Sequence, residues 1–220
     1  MSAVFDIRHL FVVFALFVLF EIQKKYDRNN IKGSDIVDVK EAIEKRRAYR
    51  SLEPVEITEG LVDDLARHVQ LAPSCFNYQP WKFVFVYDKD MLLKMREALS
   101  KGNEWVHAAS MMIAVFGKLE DDCTPKGRDY WLFDLGQAAA FLQLRATELG
   151  LVAHPIAGYS QNKVKEILGI PGEYTIITLI NVGKKSEEMN PLMTEEQVKR
   201  ENTRPERKPL EEFAYKNRYQ

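Results

Sequence analysis

Residues 174–182 read YTIITLINV, a long and almost continuous apolar run rich in β-branched side chains. Such a run suits a strand buried on both faces, so it is placed at the centre of a sheet. Two shorter runs, Lys82–Tyr87 (KFVFVY) and Met111–Phe116 (MMIAVF), are expected to be further strands. Helical patterns separate them. One starts at Ser34 or Asp35, carries Val39, Ala42 and Ile43 inward, and stops at Glu53-Pro54. A second begins at Thr58-Glu59-Gly60-Leu61, buries Leu61, Leu65, Val69 and Ala72, and is halted by Pro73. A third runs from Asp90 to Leu99, with Met91, Leu92 and Met95 as core filler. The strongest spans Gly127–Gly150, with a seam of Leu135, Ala138, Leu142, Ala146 and Leu149. Gly136, Ala139 and Ala140 give it a narrow face that a second helix could approach closely. A short helix over Asn162–Leu168 ends at Gly169. Strands and helices do not alternate strictly, so an α+β layer fold is expected. The tail from Gly183 is polar, with Pro191, Pro205 and Pro209 and little helical period. It is either disordered or laid against another surface.

The chain has 220 residues, 46% apolar and 29% charged, with a formal charge of −1. That is enough for one sizeable domain and gives no global field to gather nucleic acid. Cys75 and Cys123 are the only cysteines, and His9, His68, His107 and His154 are scattered. No metal-ligand spacing is present, a disulfide framework is not expected, and a reducing compartment is favoured. One segment stands apart: Leu10–Phe20 (LFVVFALFVLF), followed by the polar linker Tyr26–Ser34. It is short of the roughly 20 residues of a full span and lacks a cleavage site. Residues 1–35 are therefore read either as a membrane anchor or as a mis-assigned start, and residues 36–220 as the domain.

Three stretches could carry chemistry. In EKRRAYR (44–50), Arg46 and Arg50 stand four apart on a helix whose C-terminal end they finish, with Arg47 beside them. Guanidinium forks suit a phosphate, and cations also complement a helix end without any ligand. Arg204, Arg207 and Lys208 form a second basic cluster that could converge on the same anion. In APSCFNYQPW (72–81), Pro73, Ser74, Asn77 and Gln79 crowd the entrance to a strand. The amides of Asn77 and Gln79 could read the edge of a heterocycle, yet on the residues alone a shaped turn prevails. In LVAHPIAGYS (151–160), Ala157 and Gly158 leave room for a planar ligand against the backbone after Pro155 and Ile156. His154 reads as a packed residue rather than a catalytic acid. Asn103, Trp105, Tyr130 and Trp131 are candidate acceptor contacts without assigned roles, packing being the commoner use of such aromatics.

Taken in order, IEKRRAYR, APSCFNYQPWKFVFV, DLGQAAAFLQLRATELGL, HPIAGYSQNKVKEILGIP and RKPLEEF make a chain that resembles the FMN-dependent nitroreductase-like flavoproteins from about Val37 onward. The resemblance implies a mixed, largely antiparallel central sheet flanked by helices in an intertwined homodimer, with FMN at the interface. It implies that Arg46, Arg47, Ala48, Arg50, Arg207 and Lys208 surround the phosphate and ribityl chain. Ala48 departs from the serine often found there, a loss of about 1 kcal/mol of hydrogen bonding. Pro73, Ser74, Asn77 and Gln79 would line the flavin. Pro155, Ile156, Ala157 and Gly158 would lie against the ring, with the N–H of Ala157 or Gly158 near N5. No side chain is then the catalyst. NADH or NADPH would donate hydride and a nitroaromatic, quinone or similar small oxidant would accept it, in a cytoplasmic or N-terminally anchored protein. No GxGxxG follows a strand, so weak discrimination between the two donors is expected. Two alternatives stay open: a membrane-anchored reductive dehalogenase similar to iodotyrosine deiodinases, and a flavin-binding protein with weak turnover.

Overall fold

The computed structural model describes residues 38–219; the run Leu10–Phe20 and its linker lie outside them. Among the described residues no helix is long and apolar enough to cross a membrane.

Strand β5 (Thr175–Lys185) is central, as its composition demands. On one side it pairs with β3 (Met111–Gly117), and β2 (Lys82–Val86) follows β3. On the other it pairs with β4 (Leu151–Ile156), while the short β1 (Leu52–Glu53) meets its last two residues. Every pairing is antiparallel. β3 is buried from end to end, and its alternation divides the core. Met111, Ile113 and Val115 pack with Leu65 and Val69 of α2 (Glu59–Gln70) and with Leu135, Ala138, Leu142 and Ala146 of α4 (Tyr130–Glu148). Met112, Ala114 and Phe116 pack with Leu92 and Met95 of α3 (Lys89–Arg96), Val164 of α5 (Gln161–Leu168) and Trp105. Fully buried side chains such as Leu142 and Ile113 each contribute roughly 1.5–3 kcal/mol over exposure. The seam read along α4 is therefore its inner face. Ala139 is buried with it, so the narrow outer face reduces to Gly136 and Ala140.

Four expectations need correction. The first helix, α1 (Val39–Lys45), is capped by Asp38 and ends before the arginines: Arg46 turns to ψ 121° and residues 46–51 are non-helical. Arg46 and Arg50 thus do not share a helix face. Distant partners take the backbone groups that a longer helix would use. Residues 151–156, not among the expected strands, form β4; Pro155 fits because, among the described residues, β4 pairs with β5 on one side and so lies at an edge. The polar tail contains a helix, α6 (Glu195–Asn202). Finally, Cys75 and Cys123 are joined in a disulfide across 48 residues.

Candidate functional site

The chain from Arg46 to Arg50 runs along the foot of α6. Arg46, Arg47, Ala48 and Arg50 from this segment and Arg200, Arg204, Pro205 and Arg207 from the tail line one cavity of about 190 Å³. The two basic clusters, more than 150 positions apart in sequence, therefore meet.

A ladder of long-range hydrogen bonds makes them meet. The Arg47 guanidinium donates to the carbonyls of Arg200 and Glu201, each at 3.1 Å, and lies 4.7 Å over the Tyr49 ring. Arg204 donates to the carbonyls of Glu44 and Arg46. Glu201, only 5% exposed, accepts from the backbone N–H of Arg50 at 3.0 Å and of Ser51 at 2.8 Å. Asn190 ties the same strip to the core, donating to the carbonyls of Arg50 and Trp105.

Not all the positive charge is spent. Burial, then Arg204 and Arg207, push the Arg46 guanidinium below its ordinary pKa. Burial also lowers Arg50, with Glu201 opposing and Arg200 reinforcing the shift. Arg50 Nε is buried and has no hydrogen-bond partner among the described residues. Like charges held together with an orphaned donor form a receptor for an anion, and planar forks suit a phosphate. The cavity is smaller than the roughly 300 Å³ at which pockets for drug-sized ligands begin, so it matches a charged head rather than a whole cofactor.

Next to the arginines, His154 lies 4.6 Å from Trp105 in a stacked pair, and its Nδ1 donates to the Tyr49 carbonyl at 3.0 Å. Burial drives its pKa down to about 4, with Arg50 and Arg46 helping, so the ring is neutral. This is the packed histidine expected from the sequence. Trp105 and Trp131 are buried in the core, and Asn103 donates to the Gly158 carbonyl at 2.9 Å. A Cβ at Gly158 would collide with Asn103 Nδ2, so a larger residue there would displace the Asn103 side chain.

Pro73, Ser74, Asn77, Gln79, Pro155, Ile156, Ala157, Gly158 and Lys208 do not line the arginine cavity. Lys208 pairs with Glu212 at 3.4 Å. Ser74 Oγ accepts from the Gln79 N–H, and Gln79 Nε2 donates to the Asn77 carbonyl. Phe76, Asn77 and Gln79 all hold left-handed backbone, with φ of 46°, 60° and 52°. Three such non-glycine residues so close together persist only where their surroundings over-determine them. Asn77 and Gln79 remain exposed.

The profile of the nitroreductase family matches residues 43–104 and 97–184, which covers this fold and the first half of the arginine site. The chain belongs to the nitroreductase family. Among the proteins it is similar to is an NADH dehydrogenase of Thermus thermophilus, 26% identical over 187 residues, covering 71% of this chain and 91% of the relative. An iodotyrosine deiodinase of Haliscomenobacter hydrossis is 27% identical over 173 residues, covering 66% and 78%. In fold, a family protein from Exiguobacterium sibiricum solved in complex with FMN aligns with a TM-score of 0.70 at 22% identity, over 84% of this chain and 99% of that one.

Sequence reasoning missed Arg200, Glu201 and the helix that carries both, and it placed Arg204 only in a basic cluster that could converge on the same anion. One signal was present. Thr194 and Gln197 form a reciprocal capping box, a helix start legible in TEEQ.

Proposed function

We propose that this nitroreductase-family chain is an FMN-dependent NAD(P)H oxidoreductase, working as a homodimer and delivering hydride to small acceptors such as nitroaromatics and quinones. The observation that carries the reading is the cavity in which arginines from both ends of the domain meet. Its donor set fits the FMN phosphate: a doubly charged oxyanion would satisfy Arg50 Nε and relieve the repulsion around Arg46. Arg46, Arg47, Arg50, Arg204 and Arg207 hold that group, with Ala48 and Pro205 on the rim. Bound FMN supplies hydride acceptance and return at N5.

The chain's own part is to bind and orient. Pro73, Ser74, Asn77 and Gln79 offer a hydroxyl and two amides to the ring, from a second copy across the interface. Pro155, Ile156, Ala157 and Gly158 lie along the ring, the Ala157 or Gly158 N–H serving N5. The arginines anchor the anionic end, and neutral His154 holds the Tyr49–Trp105 wall without adding charge.

Purified protein should show a flavin absorption band that NADH bleaches and a quinone restores. Colourless protein that does not take up added FMN overturns the reading; colour without bleaching by NADH or NADPH reduces it to a flavin binder. Stopped-flow reduction should proceed with both nicotinamide donors, and a hundredfold preference for one contradicts the expected loose grip on them. The Haliscomenobacter relative supports a second reading, reductive dehalogenation, which predicts turnover of halotyrosines.

A further inference from the structure

We infer that Cys75 and Cys123 form a reversible thiol–disulfide site, open to reduction by a dithiol, that clamps the Pro73–Gln79 loop. The consequence for the flavin rests on the function proposed above; the clamp itself does not.

Cys75 opens the single turn Cys75–Asn77, directly before the left-handed Phe76 and Asn77. Cys123 lies between the turns Leu119–Asp121 and Pro125–Gly127, ahead of α4. The disulfide therefore ties two loops, and neither cysteine belongs to either hydrophobic cluster. Both residues are half-buried rather than sealed in the core. The sheet and its two core layers close without this bond.

Much of what stabilises the loop is internal: Asn77 N–H to the Ser74 carbonyl, Tyr78 N–H to the Cys75 carbonyl, and the two Gln79 bonds. Two tethers reach outward, and both start at Cys75. One is the disulfide. The other is its N–H, donated at 2.7 Å to Asp134 Oδ2, a buried carboxylate that Gln137 also holds. Beyond the disulfide, the Cys123 side is fixed to β2 through Asp121, paired with Lys82 at 3.0 Å. Cutting the S–S bond leaves a strained backbone with one outward anchor, and strained loops relax when their supports are removed.

The chemistry balances with a dithiol as reductant. Its thiolate attacks one sulfur, the Cys75–Cys123 bond breaks, and a mixed disulfide forms. The second thiol of the reagent displaces the protein cysteine and leaves as the reagent's own disulfide. Two electrons and two protons pass to the protein, which ends with two thiols. In a reducing compartment a pair of this kind is a sensor rather than a permanent staple.

The test uses the full native chain with dithiothreitol. Thiol titration without denaturant should rise from none to two per chain. Chymotrypsin should then cut after the exposed Phe76 or Tyr78 about fivefold or more faster, as expected when a local opening becomes easier. FMN affinity should fall about tenfold, and oxidised dithiothreitol should reverse both changes. The double variant C75S/C123S should show the reduced behaviour with or without reductant. Free thiols in the air-oxidised protein, no reduction short of denaturation, or reduction without faster cleavage would each overturn the inference. If FMN binds in neither state, the proposed function fails, while the cleavage rates still judge the clamp.

Discussion

Arg46 is held where like charges crowd it, and this separates its role in binding from its role in stability. With the FMN phosphate held as proposed, Arg46→Ala would remove charge-assisted hydrogen bonds worth about 1.5–3 kcal/mol, so FMN should bind roughly 10- to 150-fold more weakly. The ligand-free protein should lose little stability, because repulsion from Arg204 and Arg207 goes with the side chain. Flavin fluorescence titration beside thermal unfolding measures both, and an affinity change below threefold would remove Arg46 from the site. His154 makes the opposite case, stability without binding. Its folded pKa, about 4, lies below the ordinary 6.5, so between these values the unfolded chain takes up a proton and the folded one does not. Stability therefore falls as pH drops through this window, by roughly 3 kcal/mol in all, and is regained as pH rises above about 6.5. His154→Gln keeps a donor for the Tyr49 carbonyl and should flatten that part of the pH profile in urea unfolding. Equal slopes in both proteins would assign the loss to other groups.

Helix α6 shows what one buried carboxylate does for an element with no core of its own. Its exposed side chains are polar, and Glu201 fixes it by accepting the N–H groups of Arg50 and Ser51. Glu201→Ala leaves those amides without their acceptor, a cost of about 1–3 kcal/mol, and should weaken FMN binding by loosening both walls of the cavity. Glu201→Gln keeps one acceptor oxygen and should fall between. Unchanged melting and affinity in the alanine variant would mean that α6 is held by other contacts. The same helix marks where the sequence stops being legible. β2, β3, β5, α2 and α4 declare themselves through local pattern: continuous or alternating apolar runs, Thr58 at a helix start, Leu and Ala at helical spacing. α1 reads too long because the groups that end it, Glu201 and Arg204, come from the far end of the chain. β4 is masked by Pro155, tolerable only once β4 is known to be an edge. The disulfide had no spacing to announce it, since pairing across 48 residues is decided by the fold. At the site, the two arginine clusters were visible as composition; on the residues alone their meeting stayed open, and only the family resemblance implied it.

On the scale of the molecule, the domain leaves one side of its longest helix uncovered. Leu132, Phe133, Gly136, Ala140 and Phe141 are exposed along α4, and Leu210 and Phe213 are exposed in the tail beyond α6. A single solvated chain gains nothing from a stripe of this kind, whereas a second copy would bury it. Gly136 separates the two situations. A Cβ built there meets nothing within 4 Å among the described residues, so this part of the subunit has room for a larger residue. Replacing glycine inside a helix should even raise the subunit's own stability by up to about 1 kcal/mol. Across a close helix–helix contact, however, a branched side chain would force the axes apart. Gly136→Leu is therefore expected to fold, to sediment as a monomer where the parent sediments as a dimer, and to lose FMN although every arginine of the cavity is intact. Sedimentation velocity with and without FMN measures this. A Gly136→Leu protein that keeps the parent's mass and flavin would place the contact elsewhere, and a parent that is monomeric while fully loaded with FMN would mean that one chain builds the whole site.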